Sequence, residues 1–113
     1  MEDGSLDLAS YEDFLGPEVK LLAVTHVSNI LGTVNPVKEM VAAAHSVNAR
    51  VVVDAAQSVP HRPVDVQDLG CDFLAFSGHK LCGPTGIGVL FMAENVLDEM
   101  DPFMTGGEMI HKV

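Results

Sequence analysis

The sequence predicts an α/β domain in which helices pack on a mostly parallel sheet. Three observations carry that reading. Short apolar runs rich in β-branched or aromatic residues recur at 21–25, 51–53 and 73–76; a segment of helical periodicity separates the first two; and each run ends in a polar cluster. In open α/β sheets, ligands collect beyond the carboxyl ends of the strands. His26 to Asn29, Asp54 to Gln57 and Ser77 to Lys80 are therefore placed where one pocket can gather them.

Residues 1–18 hold Gly4, Gly16 and Pro17 among acidic side chains, which reads as a loop with one short helical turn around Tyr11. Leu21 to Thr25 is the first strand, and the polar residues after it lead through Gly32 as a loop. Asn35 and Pro36 give a helix start, an N-cap side chain followed by proline at the first helical position. Val37, Met40, Val41 and Ala44 then fall on one face, and Asn48 closes the helix. Val51 to Val53 is the next strand, continuously apolar as a strand covered on both faces is.

From Ser58 to Gly70 the chain is turn-rich, with Pro60 and Pro63, and a strand follows around Phe73 to Phe76. The strand from Ile87 to Phe91 arrives too soon for a helical crossover and is expected to pair antiparallel. Ala93 to Met100 reads as a short helix stopped by Pro102, and Thr105-Gly106-Gly107 as a flexible loop.

Composition narrows the function. A length of 113 residues suits one small domain and is short for an independent two-domain enzyme. Six basic against sixteen acidic residues give a formal net charge of −10, which disfavours nucleic acid and anionic membranes because both attract Lys/Arg clusters. The acidic residues before Lys20 read as a solvated surface segment. With two cysteines, and neither a secretory apolar region nor an apolar run of membrane length, the expectation is a soluble chain in a reducing compartment, the cytoplasm or an organelle stroma or matrix. Cys71 and Cys82 do not form a C-x-x-C pair, and no two histidines stand at helical ligand spacing, so no metal site is expected.

The chemistry centres on Lys80. It ends the run Phe73-Leu74-Ala75-Phe76-Ser77-Gly78-His79-Lys80, and the glycine-rich turn Gly83-Pro84-Thr85-Gly86-Ile87-Gly88 lies just beyond. A lysine at such a site is either an exposed turn residue or, if desolvated, a nucleophile that condenses with an aldehyde. A second segment, a β-branched strand ending in Asp54, offers a carboxylate, expected to be buried at the strand end, of the kind that a pyridoxal cofactor needs beside its ring nitrogen. Asp54 is otherwise the N-cap of a segment beginning at Ala55. Ser77 and Gly78 offer a hydroxyl and a backbone amide to a phosphate, or ordinary turn chemistry. His79 is either a phosphate donor or a structural hydrogen-bonder, and His26 either packs under a cofactor or satisfies a buried loop.

Three ordered segments carry a resemblance. His26-Val27-Ser28-Asn29-Ile30-Leu31-Gly32, Asp54-Ala55-Ala56-Gln57 and Ser77-Gly78-His79-Lys80-Leu81-Cys82-Gly83-Pro84-Thr85-Gly86-Ile87-Gly88 resemble the cysteine desulfurases of the class V aminotransferase family, the SufS type above all. The similarity runs from Asp3 to Val113. It implies a fold type I enzyme using pyridoxal 5'-phosphate, with residues 1–113 an internal part of the cofactor-binding large domain and the parts on either side absent.

The resemblance also implies roles. Lys80 matches the lysine that forms the internal aldimine and moves protons on the substrate carbon, and Asp54 the carboxylate on the pyridine nitrogen. Gln57 matches the residue on the phenolic oxygen, Ser77 and His79 match phosphate ligands, and Asn29 a residue beside the cofactor ring and substrate. Thr105-Gly106-Gly107 matches a loop near the neighbouring subunit's active site.

The implied reaction converts L-cysteine to L-alanine and passes sulfur through a persulfide to iron–sulfur cluster assembly, with a homodimeric enzyme and a sulfur acceptor of the SufE or SufU kind. The persulfide cysteine is implied to lie beyond Val113. Cys71 precedes a buried strand, and Cys82 stands where relatives usually carry an aromatic residue. The chain by itself is therefore expected to show no desulfurase turnover. The alternatives are a selenocysteine lyase or other class V enzyme, or an inactive truncated fragment.

Overall fold

The computed structural model describes residues 4–102, and the Thr105-Gly106-Gly107 loop lies outside them. Four strands form one sheet in the order β1-β2-β3-β4, comprising β1 (Leu21–Thr25), β2 (Arg50–Asp54), β3 (Phe73–Ser77) and β4 (Gly88–Met92). The first three are parallel and β4 runs antiparallel to β3, as expected from the short connection between them.

Helix α1 (Leu8–Phe14) begins at Asp7, whose carboxylate accepts from the Ser10 amide at 3.1 Å. That N-cap, unnoticed in the acidic run, stabilises about two turns where one was expected. The Tyr11 hydroxyl donates to the Met40 carbonyl at 2.7 Å, tying α1 to α2 (Val37–Ser46).

Helix α2 buries Val37, Met40, Val41 and Ala44, the face its periodicity predicts. Its start differs from expectation. The Asn35 side chain donates to the Thr25 carbonyl at 2.6 Å instead of capping, and Pro36 holds the cap position with no side-chain bond. The helix stops before Asn48, whose φ of 61° is the left-handed conformation that asparagine tolerates.

Two further helices are single turns. Asp65 accepts from the amides of Gln67 and Asp68 to start α3 (Val66–Leu69), and Gly70 ends it at a φ of 70°. Within the stretch read as turns, this cap pair was the missed signal. Helix α4 (Glu94–Leu97) is shorter than the 93–100 expectation.

The core lies on one face of the sheet. Val24, Val51, Val53 and Leu74 are buried there against Val37, Met40, Val41 and Ala44. Leu74→Ala would cost about 2–5 kcal/mol, since a buried site relaxes only partly around a lost side chain. Among the described residues the other face is uncovered: Leu21 and Leu90 are each more than half exposed, and Val52 is half-buried. The expectation that β2 is covered on both faces is therefore corrected, because its burial alternates, as on a one-sided sheet.

Candidate active site

Parallel register sets the geometry. Thr25, Asp54 and Ala75 stand side by side, so the segments after β1, β2 and β3 leave the same edge of the sheet. Backbone bonds extend this alignment past the strands: the His26 amide donates to the Asp54 carbonyl at 2.9 Å and the Ala55 amide to the Ala75 carbonyl at 2.8 Å. The three polar segments thus come to one edge, as their spacing predicts.

Asp54 closes β2 on the uncovered face, beside a shallow cleft of about 330 Å³ lined by Ala23, Thr25, Val52 and Ala75 among others. One carboxylate oxygen accepts from the Ala56 amide at 2.9 Å, and the other has no partner among the described residues. The carboxylate is exposed, which corrects the expectation of a buried group; nothing among the described residues packs on that face. Its capping role also holds in part, for a turn in place of a helix.

Gln57 follows in that turn and is half-buried. Ser58, fully buried, fixes the turn by donating through its amide and hydroxyl to the Ala55 carbonyl, at 3.1 and 3.2 Å.

Ser77 ends β3, and a 3-10 turn, Gly78–Leu81, carries His79 and Lys80. The Ser77 hydroxyl is enclosed and has no hydrogen-bond partner among the described residues. The Gly78 amide is not free, because it donates to the Ile87 carbonyl at 2.9 Å, so the expected phosphate-facing amide is corrected. His79 and Lys80 are both exposed. Of the two readings of Lys80, the exposed turn residue is the one seen among the described residues, and residues 81–90 around it are exposed as well.

Asn29 is exposed at the tip of the loop after β1. The Ser28 hydroxyl accepts from the amides of Ile30 and Leu31 at 3.3 and 3.2 Å, and the Ser28 amide donates to the Thr33 carbonyl at 2.9 Å, which folds the loop back on itself. At its base His26 is 6% exposed, and its Nδ1 has no hydrogen-bond partner among the described residues. Burial, reinforced by the charge of Arg62, lowers its pKa and favours the neutral ring. That vacancy was not legible in the sequence.

The cysteines separate. Cys71 is buried, and burial pushes its thiol up, away from the thiolate form. Cys82 is exposed in the turn after Lys80 at a φ of 60°. Among the described residues no three metal-ligating side chains cluster, and no helix is long and apolar enough to cross a membrane.

At the opposite end of the sheet, buried Asp72 accepts from Arg50 at 2.9 Å, from the Val51 amide at 2.7 Å and from the His45 ring at 2.8 Å. This cluster borders a polar cleft of about 250 Å³, away from Lys80. Its bonds are internal, and it reads as a structural joint.

Comparison with known proteins places this arrangement. The family model described as Aminotransferase class-V matches residues 1–113. The chain is 54% identical over 112 residues to a cysteine desulfurase of Haloferax volcanii, covering 99% of this chain and 26% of that protein. It is 55% identical over 112 residues to one of Pectobacterium atrosepticum, covering 99% and 28%. The chain thus spans about a quarter of the length of these relatives.

Among solved structures, the apo cysteine desulfurase of Thermococcus onnurineus NA1 superimposes with a TM-score of 0.88 at 48% identity, over 99% of this chain and 28% of that one. The Escherichia coli cysteine desulfurase CsdA gives 0.86 at 43% identity, over 95% and 27%. With a family model matching its whole length and a sheet shared with solved cysteine desulfurases, the chain belongs to the aminotransferase class-V family.

Proposed function

We propose that residues 1–113 are part of the cofactor-binding large domain of a pyridoxal-phosphate-dependent cysteine desulfurase, which converts L-cysteine to L-alanine and passes the sulfur on as a persulfide. One observation carries the reading: Lys80, Asp54 and Ser77 leave one sheet edge, with a hydroxyl on Ser77 and a carboxylate oxygen on Asp54 that have no partner among the described residues. The relatives named cysteine desulfurase support the choice of substrate.

These residues fit the cofactor. The free oxygen of Asp54 would accept from the protonated ring nitrogen, while the Ser77 hydroxyl and the His79 ring would donate to the phosphate. Gln57 would donate to the phenolic oxygen, and Asn29 would border the ring and the substrate. Lys80 would hold the cofactor covalently and move a proton at the substrate α-carbon. Bound there, the cofactor supplies an electron sink for bond breaking at that carbon. The attacking thiol is assigned to neither cysteine of this chain: Cys71 is buried, and Cys82 stands at a position where the resembled family usually carries an aromatic residue.

The same reading takes the parent enzyme as a homodimer of the SufS type in the cytoplasm or an organelle, serving iron–sulfur cluster assembly through a SufE- or SufU-like acceptor. Its test is intact mass after mixing the chain with pyridoxal phosphate and reducing with borohydride, beside Lys80→Ala. A single adduct lost in the variant is expected. An equal adduct in both, or none in the folded chain, would overturn the site for this chain.

A further inference from the structure

His26 is the joint between the loop that carries Asn29 and the strand that carries Asp54. Its amide donates to the Asp54 carbonyl and its carbonyl accepts from the Asn35 amide, both at 2.9 Å, while the Asn35 side chain holds the Thr25 carbonyl at 2.6 Å. The loop is thus fastened to β2 through the backbone of this one residue. Backbone bonds alone do not require a histidine there.

The side chain sets His26 apart. It is 6% exposed, and Nδ1 has no partner among the described residues. A buried polar atom left unpaired is unfavourable, and a leucine would fill similar space without one. Burial and Arg62 keep the ring neutral, so it retains one N–H donor and one acceptor.

We propose that His26 is a positioning residue for the cofactor site, whose Nδ1 acquires a hydrogen bond when a pyridoxal cofactor seats on the strand ends, fixing the Asn29 loop against Asp54. The ring acts through Asn29 and Asp54. Because a shift in either the loop or the end of β2 moves this joint, seating the cofactor changes what Nδ1 faces. The inference rests on the proposal that the chain holds the cofactor at Lys80.

Two measurements test it. The first is nitrogen-15 NMR of the imidazoles in the wild-type chain, before and after loading with pyridoxal phosphate, with His26 assigned through His26→Asn. An Nδ1 resonance free of hydrogen bonding before loading and moved to the bonded position after it is expected. An Nδ1 already bonded in the free chain, as an ordered water would make it, or unchanged on loading overturns the inference.

The second is the absorbance-monitored affinity for pyridoxal phosphate of His26→Leu and His26→Asn. An amide can occupy the Nδ1 position, so Asn is expected to stay within a few-fold of wild type while Leu weakens binding at least tenfold. Equal affinity for Leu, in a chain of unchanged circular dichroism, overturns the proposal; should Leu not fold, the NMR result decides. The failures are distinguishable: an adduct at Lys80 with a silent His26 removes this inference alone, and no adduct in wild type removes the cofactor site together with it.

Discussion

The amide of Gly83 donates to the carbonyl of Gly78 at 3.0 Å, closing the turn that carries His79 and Lys80. The contact leaves no room for a side chain: a Cβ on Gly83 would lie 2.9 Å from that carbonyl oxygen, and one on Gly78 would lie 2.9 Å from the Ile87 side chain. Gly83→Ala is therefore expected to destabilise the chain by about 1–3 kcal/mol, the usual cost of overpacking. A urea melt reads the loss, and the borohydride-trapped yield at Lys80 should fall with it. Unchanged stability would show that the turn relaxes around the methyl group.

Asp72 gives the fold a definite acid response. Burial pushes its carboxyl up, but the His45 ring, the Val51 amide and the Arg50 guanidinium outweigh that, and the net direction is down. A carboxyl held below its unfolded value of about 3.9 contributes fully above that value and loses the contribution as pH falls through the folded value. Asp72→Asn is expected to lower stability at pH 7 by about 1–3 kcal/mol, with the deficit shrinking in acid. Urea melts at pH 7 and at about pH 2, below the unfolded value, would check this. A deficit that grew in acid would contradict it.

Tyr11→Phe removes the bond to the Met40 carbonyl and little else. The expected cost is about 0.5–1.5 kcal/mol, read as a lower denaturation midpoint with an unchanged slope. No change would mean that α1 is held by its apolar contacts alone.

Thiol labelling should distinguish the two cysteines. Cys82 is exposed and Cys71 buried with its thiol pushed up, so iodoacetamide is expected to modify one site in the native chain and two in denaturant. Mass spectrometry locates the sites. Rapid native labelling of Cys71 would show that the edge between α3 and β3 opens.

Much of the fold was legible because its signals are local. The apolar runs mark β1, β2 and β3 to within a residue, and the short link between β3 and β4 forces the antiparallel pair. The four buried positions of α2 follow from periodicity, and the helix ends just before Asn48 as expected, where the structure adds a left-handed backbone. Helix α3 was hidden because one turn offers no period to read, only its Asp65 cap and Gly70 stop. Asn35 misled because the side chain that suits a cap also reaches a strand-end carbonyl.

The meeting of the polar segments at one edge was legible from topology, since parallel strands end together. The environment of Asp54 and Lys80 was not. Burial is set by what packs on a surface, and the local sequence does not encode it; both side chains are exposed here. The His26 Nδ1, unpartnered among the described residues, and the buried cluster around Asp72 likewise depend on neighbours distant in sequence.

The sheet face left uncovered among the described residues has a consequence for the chain as a colloid. Leu21 and Leu90 sit on an open apolar surface of a molecule with formal charge −10. Like-charge repulsion between molecules acts over the Debye length, which shrinks from about 30 Å at 0.01 M salt to about 3 Å at 1 M, whereas the attraction between apolar faces survives screening. Added salt therefore drives these molecules together, and dilute buffer keeps them apart.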